Sequence, residues 1–300
     1  MLRLGIVDFD SSHSIEFTRR LNHCGVDADQ CVEGARVVLG CPGQSTMSAE
    51  RIPGFTQQIQ SCDVQLVDAP EEMLGQIDAV LVLSICGDAH LERARPFLQS
   101  GIPVYVDKPF AGSLAAAKEM FELSQASGSV LWTSSSLRFA QDFVAFREQL
   151  PRLGKLNGAI SWGPAKRHPG NPGLLHYGIH AVEVLFSLLG LGCEEVSSVW
   201  TPDSEVVTGR WSDGRTGTVR GIRSGCTAYG ALAFCEQGIV SAPISARFAY
   251  RNLCREIVRS FESRTPAVPS NVSLEILRFL FASLESERQQ GRPVRLESIQ

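Results

Sequence analysis

The chain has 300 residues, 44% of them hydrophobic and 20% charged, with a formal net charge of -4. That apolar content supports a full core, the length exceeds what one domain usually holds, and the charge fraction excludes general disorder. No basic face or Lys/Arg run argues for nucleic acid, and no apolar run reaches membrane-spanning length, so neither partner is expected.

The opening residues enter a strand by position 2 without a charged leader, which predicts no secretory signal. The nine cysteines are odd in number and scattered, with no C-x-x-C pair. They read as small buried thiols of a protein in a reducing cytoplasm.

In chain order, Leu2–Val7 reads as a strand, followed by a helix through Ile15 to Leu21, strands at Ala35–Leu39 and Ala79–Ser84, and a helix from Ala89 to Gln99. Then come a strand at Val104–Val106, a helix at Leu114–Ser127 and a strand at Val130–Thr133. Short Val/Ile/Leu-rich runs spaced by helices predict an α/β, doubly wound parallel sheet covered on both faces. The segment Gly40–Gln60, rich in Gly, Pro, Ser and Gln, reads as a long loop or irregular excursion.

Past Leu137 the rhythm changes. A helix runs through Arg147 and Leu150, and a strand lies around Ala159–Trp162. The loop Gly163–Gly173, which carries Lys166, Arg167 and His168, leads into an apolar helix from Leu174 to Leu189. Hairpin-spaced strands follow at Val196–Trp200, Val206–Trp211, Thr216–Gly221, Ala228–Glu236 and Gly238–Ala242, with two closing helices at Ala249–Glu262 and Leu274–Gln290. This half reads as an α+β domain with a predominantly antiparallel open sheet. The expected division is 1–135 and 136–300.

Three clusters carry candidate chemistry. Asp107-Lys108-Pro109 closes the strand Val104–Val106 and puts one lysine at the carboxyl edge of the sheet, where α/β sheets bind ligands. His176 and His180 are four residues apart in a helical stretch, and Glu183 extends the face they would share. The turn after the first strand reads Asp8-Phe9-Asp10-Ser11-Ser12-His13, so Asp8, Asp10 and His13 stand where a G-x-G-x-x-G fingerprint has glycine. A carboxylate ~6 Å from a phosphate at an effective dielectric near 20 is repelled by about 3 kcal/mol before screening. The helix dipole, worth about 0.3–1 kcal/mol for an anion, does not offset that. Helix capping by Asp10, Ser11 or Ser12 is the alternative role of the turn. No acidic residue follows Val37-Val38-Leu39 to hold an adenosine ribose, and Arg51 is the one candidate for a 2′-phosphate.

The order of these elements, with Ser84 through His90, Gly101-Ile102-Pro103-Val104-Tyr105-Val106-Asp107-Lys108-Pro109, Arg138-Phe139, His176-Tyr177-Gly178-Ile179-His180 and Gly291-Arg292-Pro293-Val294, resembles the Gfo/Idh/MocA family of two-domain oxidoreductases. The resemblance covers nearly the full length. It implies a Rossmann-like first domain that binds NAD or NADP, and a second domain that holds a sugar-like hydroxyl or carbonyl. It places Lys108 against the substrate near the nicotinamide, to donate a hydrogen bond or take up a proton. It makes His180 the general acid or base, which suits an imidazole's ordinary titration near about 6.5. His176 stands where many members have an aspartate and joins the catalytic set. The cofactor-binding set is Asp8, Asp10, Ser11, His13, Ser84, His90, Asp107, Lys108 and Arg138.

Two other readings stay open: a non-catalytic sugar or nucleotide binder on the same fold, and a metal-assisted enzyme using His176/His180/Glu183 or Asp8/Asp10/His13. The strands of the second domain bear Trp200, Trp211 and Phe234, and one face of their sheet is expected to cover the helix from Leu174 while the other is free. By resemblance the free face would join subunits into a homodimer or homotetramer.

Overall fold

The computed structural model describes residues 1–300. In chain order the elements are β1 (Leu2–Val7), α1 (Ser12–Leu21), β2 (Ala35–Cys41), α2 (Ile52–Gln60), β3 (Gln65–Leu66), β4 (Ala79–Val82), α3 (His90–Gln99), β5 (Val104–Val106), α4 (Leu114–Ser127) and β6 (Leu131–Trp132). They continue with α5 (Gln141–Gln149), β7 (Leu156–Pro164), α6 (Ile179–Leu189), β8 (Cys193–Trp200), β9 (Ser204–Trp211), β10 (Thr216–Ile222), β11 (Tyr229–Cys235), β12 (Gly238–Ile244), α7 (Ala249–Ser263), α8 (Ser270–Arg288) and β13 (Val294–Arg295). Two compact units result: Met1–Ser134 with Tyr250–Ser270, and Ser135–Ala249 with Asn271–Gln300. The first unit therefore takes nearly all of α7 in addition to the first 134 residues.

The first unit is built on a six-stranded parallel sheet of order β3-β2-β1-β4-β5-β6. Its central strands are apolar throughout because both faces are covered, so Ile6, Val7, Val80, Leu81, Val104 and Val106 are fully buried. Strand order reverses between β1 and β4, which opens a crevice at their carboxyl ends. Ser113 caps α4 by accepting from the Ala116 N–H at 3.1 Å, and Gly128 ends it at φ 71°, a backbone that costs glycine nothing.

The segment Gly40–Gln60 is more regular than its composition predicts, because it contains α2. Pro53 sits in that helix's first turn, where the missing N–H has no intrahelical partner to lose. Ile52, Phe55 and Ile59 supply the helical period, with Ile59 fully buried.

The second unit holds a seven-stranded sheet of order β12-β11-β7-β10-β9-β8-β13. Only the β7/β10 pair is parallel. Helix α6 covers one face, and Ser161 ties the two layers by donating to the Ala181 carbonyl at 2.7 Å. The opposite face exposes Val199, Phe234 and Ile239, with Trp200 exposed at its margin, whereas Trp211 points inward and is buried. No helix is long and apolar enough to cross a membrane. All nine cysteines are free, and six are buried. Burial pushes the thiols of Cys193 and Cys254 up to about 12, which leaves them inert near neutral pH.

Candidate active site

The turn after β1 places the three residues that stand at glycine positions, Asp8, Asp10 and His13, by tying each to another strand end. Asp8 has φ 66°, the left-handed backbone that glycine would adopt. Its buried carboxylate accepts the Ser84 hydroxyl and the Arg93 Nε–H, the latter at 3.1 Å, through Oδ2. Oδ1 has no hydrogen-bond partner.

Asp10 accepts from the Ser45 hydroxyl at 2.5 Å and from the Ile85 N–H at 3.0 Å, joining the loops that follow β2 and β4. Burial raises its carboxyl above the ordinary value, while these two bonds pull it down. Ser11 caps α1 through the His13 N–H at 3.2 Å, so the capping role belongs to Ser11 and not to Asp10 or Ser12.

His13 reaches furthest. Its Nδ1 lies 2.6 Å from Asp107 Oδ2, its Nε2 lies 3.2 Å from the Tyr250 hydroxyl on α7, and its ring stacks on Phe17. Asp107 is fully buried at the end of β5, and its second oxygen accepts the Lys108 N–H at 2.8 Å. Burial alone would raise this carboxyl; the His13 ring and then the Lys108 charge outweigh it and hold the group below its ordinary value. Lys108 itself is 8% exposed, and its peptide bond to Pro109 is cis.

His90, expected as a cofactor contact, is fully enclosed. Its ring nitrogens lie 3.1 Å from the Phe110 carbonyl and 2.8 Å from the Ser84 carbonyl, so it ties the loop after β5 to the end of β4. Ser84 spends its hydroxyl on Asp8.

In the second unit, α6 begins at Ile179, later than the expected Leu174; a short 3-10 turn at Gly173–Leu175 precedes it. His176 therefore lies outside the helix, with its ring 5.5 Å from that of His168, and it does not share a helical face with His180. His180 is buried, with Nδ1 2.7 Å from the Ser135 hydroxyl. Glu183 is taken by Arg138, through Nε at 2.9 Å and Nη2 at 2.5 Å. This buried ion pair fastens the Ser136–Phe139 turn to α6, and it directs Arg138, expected at the cofactor, to a packing role. Neither His176/His180/Glu183 nor Asp8/Asp10/His13 converges: no group of three or more His, Cys, Asp or Glu side chains is placed to hold a metal ion.

Within the first unit a cavity of about 460 Å³ opens at the carboxyl ends of β1 and β2, lined by Asp8, Gly43, Gln44, Asp68, Pro70 and Arg93 among others. Of these only Asp8 was singled out by the sequence. Arg51, the expected phosphate partner, instead lies beside Glu50 ahead of α2 and does not line the cavity. Arg93 and Asp68 carry no motif, and Tyr250 is remote in sequence from His13. The Asp8 carboxylate fits because Gly43 has no side chain: a Cβ there would lie 1.7 Å from Asp8 Oδ1.

Residues 44–135 match the model of an oxidoreductase family with an NAD-binding Rossmann fold, GFO_IDH_MocA. The uncharacterized oxidoreductase YhhX of Escherichia coli (strain K12) is 31% identical over 133 residues, 40% of this chain and 38% of that protein. A putative UDP-kanosamine synthase oxidoreductase subunit of Amycolatopsis mediterranei (strain S699) is 28% identical over 143 residues, 43% of this chain and 40% of that protein. The chain thus spans about two fifths of the length of these curated relatives.

Two solved structures share the fold over both units. A probable dehydrogenase from Thermotoga maritima superposes with a TM-score of 0.82 at 19% identity, covering 99% of this chain and 100% of that one. Scyllo-inositol dehydrogenase from Lactobacillus casei, with NAD(H) and scyllo-inositol, gives 0.81 at 14% identity, covering 99% of each. At such identities the likeness establishes architecture alone. Over the stretch 44–135, the chain is similar to the Gfo/Idh/MocA family of oxidoreductases.

Proposed function

We propose that the protein is an NAD(P)-dependent oxidoreductase that transfers hydride to or from the CH–OH carbon of a sugar, cyclitol or related polyol. The observation that carries this reading is the buried Lys108 at the end of β5, its backbone fixed by an Asp107 carboxylate that His13 also holds. The named dehydrogenases that share the fold, and the family's NAD-binding description, support it.

A dinucleotide fits the first unit in two respects. Asp8 keeps the glycine-type backbone at the end of β1, and the cavity beside it, bordered by Arg93, has the volume of a small-molecule site. Bound nicotinamide supplies or accepts the hydride. The Lys108 ammonium donates a hydrogen bond to the substrate oxygen as that oxygen gains charge. His180 handles the hydroxyl proton. The Ser135 hydroxyl, which accepts the Leu137 N–H at 3.2 Å, lies 2.7 Å from Nδ1 and orients the ring.

Titration with NAD(H) and NADP(H), followed by turnover on a panel of sugars and cyclitols, tests the reading. Lys108→Ala should lower kcat by about 100-fold or more while the melting temperature holds. Failure of both dinucleotides to bind at millimolar concentration sinks it. The ties made by Asp8, Asp10 and His13 favour one second reading, a sugar or nucleotide binder without turnover. Ligand stabilisation that never depends on dinucleotide would select it.

The uncovered sheet face bearing Val199, Phe234 and Ile239 supports a homodimer or homotetramer. Light scattering at micromolar concentration should give at least twice the 32.7 kDa chain mass. Free, largely buried thiols fit a cytoplasmic setting.

A further inference from the structure

We infer that Arg93 is the phosphate ligand of this chain's nucleotide site, standing in for the glycine turn that the sequence lacks. The identity of the nucleotide as part of a dinucleotide rests on the function proposed above.

Arg93 projects from α3 into the cavity at the ends of β1 and β2 and meets Asp8 through Nε alone, at 3.1 Å. Asp8 Oδ2 also receives the Ser84 hydroxyl, so the carboxylate is anchored from the β4 side. Only Nε bonds to Asp8, so the two terminal amines of the planar fork are left to meet a phosphate bidentately. The guanidinium is 31% exposed, whereas Asp8 is 2% exposed, so of these two cavity-lining charges the cation is the accessible one.

This placement answers the electrostatic objection to Asp8. An isolated carboxylate at that turn repels a phosphate, but here it is paired with a more accessible cation.

The walls are made for the same occupant. After β1 the chain runs beside the end of β2, with the Asp8 N–H donating to the Cys41 carbonyl at 2.9 Å and the Phe9 N–H to the Pro42 carbonyl at 3.0 Å. That brings Asp8 against Gly43, whose missing Cβ receives the carboxylate. Asp68, exposed just beyond β3, adds an acceptor suited to sugar hydroxyls. A cation for phosphate and a carboxylate for hydroxyls, around one cavity, is the chemistry of a ribose phosphate. Two phosphates of that kind exist in the proposed cofactors, the diphosphate bridge of both and the 2′-phosphate of NADP.

Isothermal titration of the full chain with NAD+, NADP+, ADP and 2′-AMP decides the assignment. Arg93→Met should weaken at least one nucleotide by about tenfold or more, and Arg93→Lys, which keeps the charge without the fork, by less. Arg95→Met is the control: it removes a cation from the same helix that is already paired with Glu92 and Glu119, and it should leave affinity unchanged. A loss shared by NAD+ and ADP puts the diphosphate on Arg93; a loss confined to NADP+ and 2′-AMP puts the 2′-phosphate there. Both support the inference.

Should Arg93→Met not melt as wild type does, Arg93→Lys carries the test, with about threefold as the smallest supporting loss. Unchanged affinity in the folded variant overturns the inference while the oxidoreductase reading stands. Arg93-dependent binding of ADP or 2′-AMP in a protein that binds neither dinucleotide does the reverse. Wild-type protein that binds none of the four overturns both.

Discussion

Two aspartates end neighbouring parts of the same parallel sheet, and they are satisfied differently. Asp107, after β5, has both oxygens occupied, one by the His13 ring and one by the Lys108 N–H. Asp8, after β1, has one oxygen shared between Ser84 and Arg93 and the other without a partner. A fully satisfied buried carboxylate fixes its surroundings, whereas a half-satisfied one beside a cavity is a cost tolerated for what it positions. Asp107 therefore reads as the strut of the lysine site, and Asp8 as a support for a ligand-facing cation.

The largest test of that contrast is stability. Asp107→Ala should cost about 3 kcal/mol in urea unfolding, because it strands His13 in a buried setting. Asp8→Gly should stay within about 1 kcal/mol of wild type, since glycine's ease at φ 66° offsets the lost ion pair. Equal losses from the two changes would erase the distinction.

A smaller effect appears in pH dependence. Asp107 has a folded value below its unfolded one, so its contribution is complete above the unfolded value of about 3.9 and is lost as pH falls through the folded value. Asp107→Asn should flatten that acid limb of a melting-temperature profile. Asp10 works in the opposite direction. Its folded value is raised, so stability falls as pH rises from the unfolded value through the folded one. Asp10→Asn should therefore gain on wild type as pH rises above the ordinary carboxylate value, and a difference that stays constant there would contradict the assignment. The smallest effect is expected at Tyr250→Phe, which removes one partner of His13 and should cost about 0.5–1.5 kcal/mol by the same unfolding assay.

Local signals made much of the fold legible. Leu2–Val7, Val104–Val106 and Leu114–Ser127 have the predicted bounds, because buried runs, a serine cap and a terminal glycine all act within a few residues. The α/β then α+β order and the successive strands of the second sheet followed from the same kind of signal. Helix α2 was hidden because Pro53 and Gly54 look like breakers when their place in a first turn is unknown. The two-residue strands β3 and β13 have too few residues to show a period.

Sequence singled out Asp8, Asp10, His13, Asp107, Lys108 and His180 but not the groups that contact them. Ser45, Arg93 and Tyr250 are brought to them only by tertiary packing, and an arginine on a helix reads as solvated until its surroundings are known. The His176/His180 spacing misled because helical periodicity was extended across Gly178 into a segment that is not yet helix.

The interlock of Gly43 with Asp8 has a consequence for how this turn can change over time. Any side chain at position 43 collides with the aspartate, so Gly43→Ala should be tolerated only in a chain that has first lost the carboxylate at position 8. The constraint runs one way across the 34 residues that separate them: an aspartate at position 8 demands glycine at 43, whereas the φ of 66° at Gly43 favours glycine even without it.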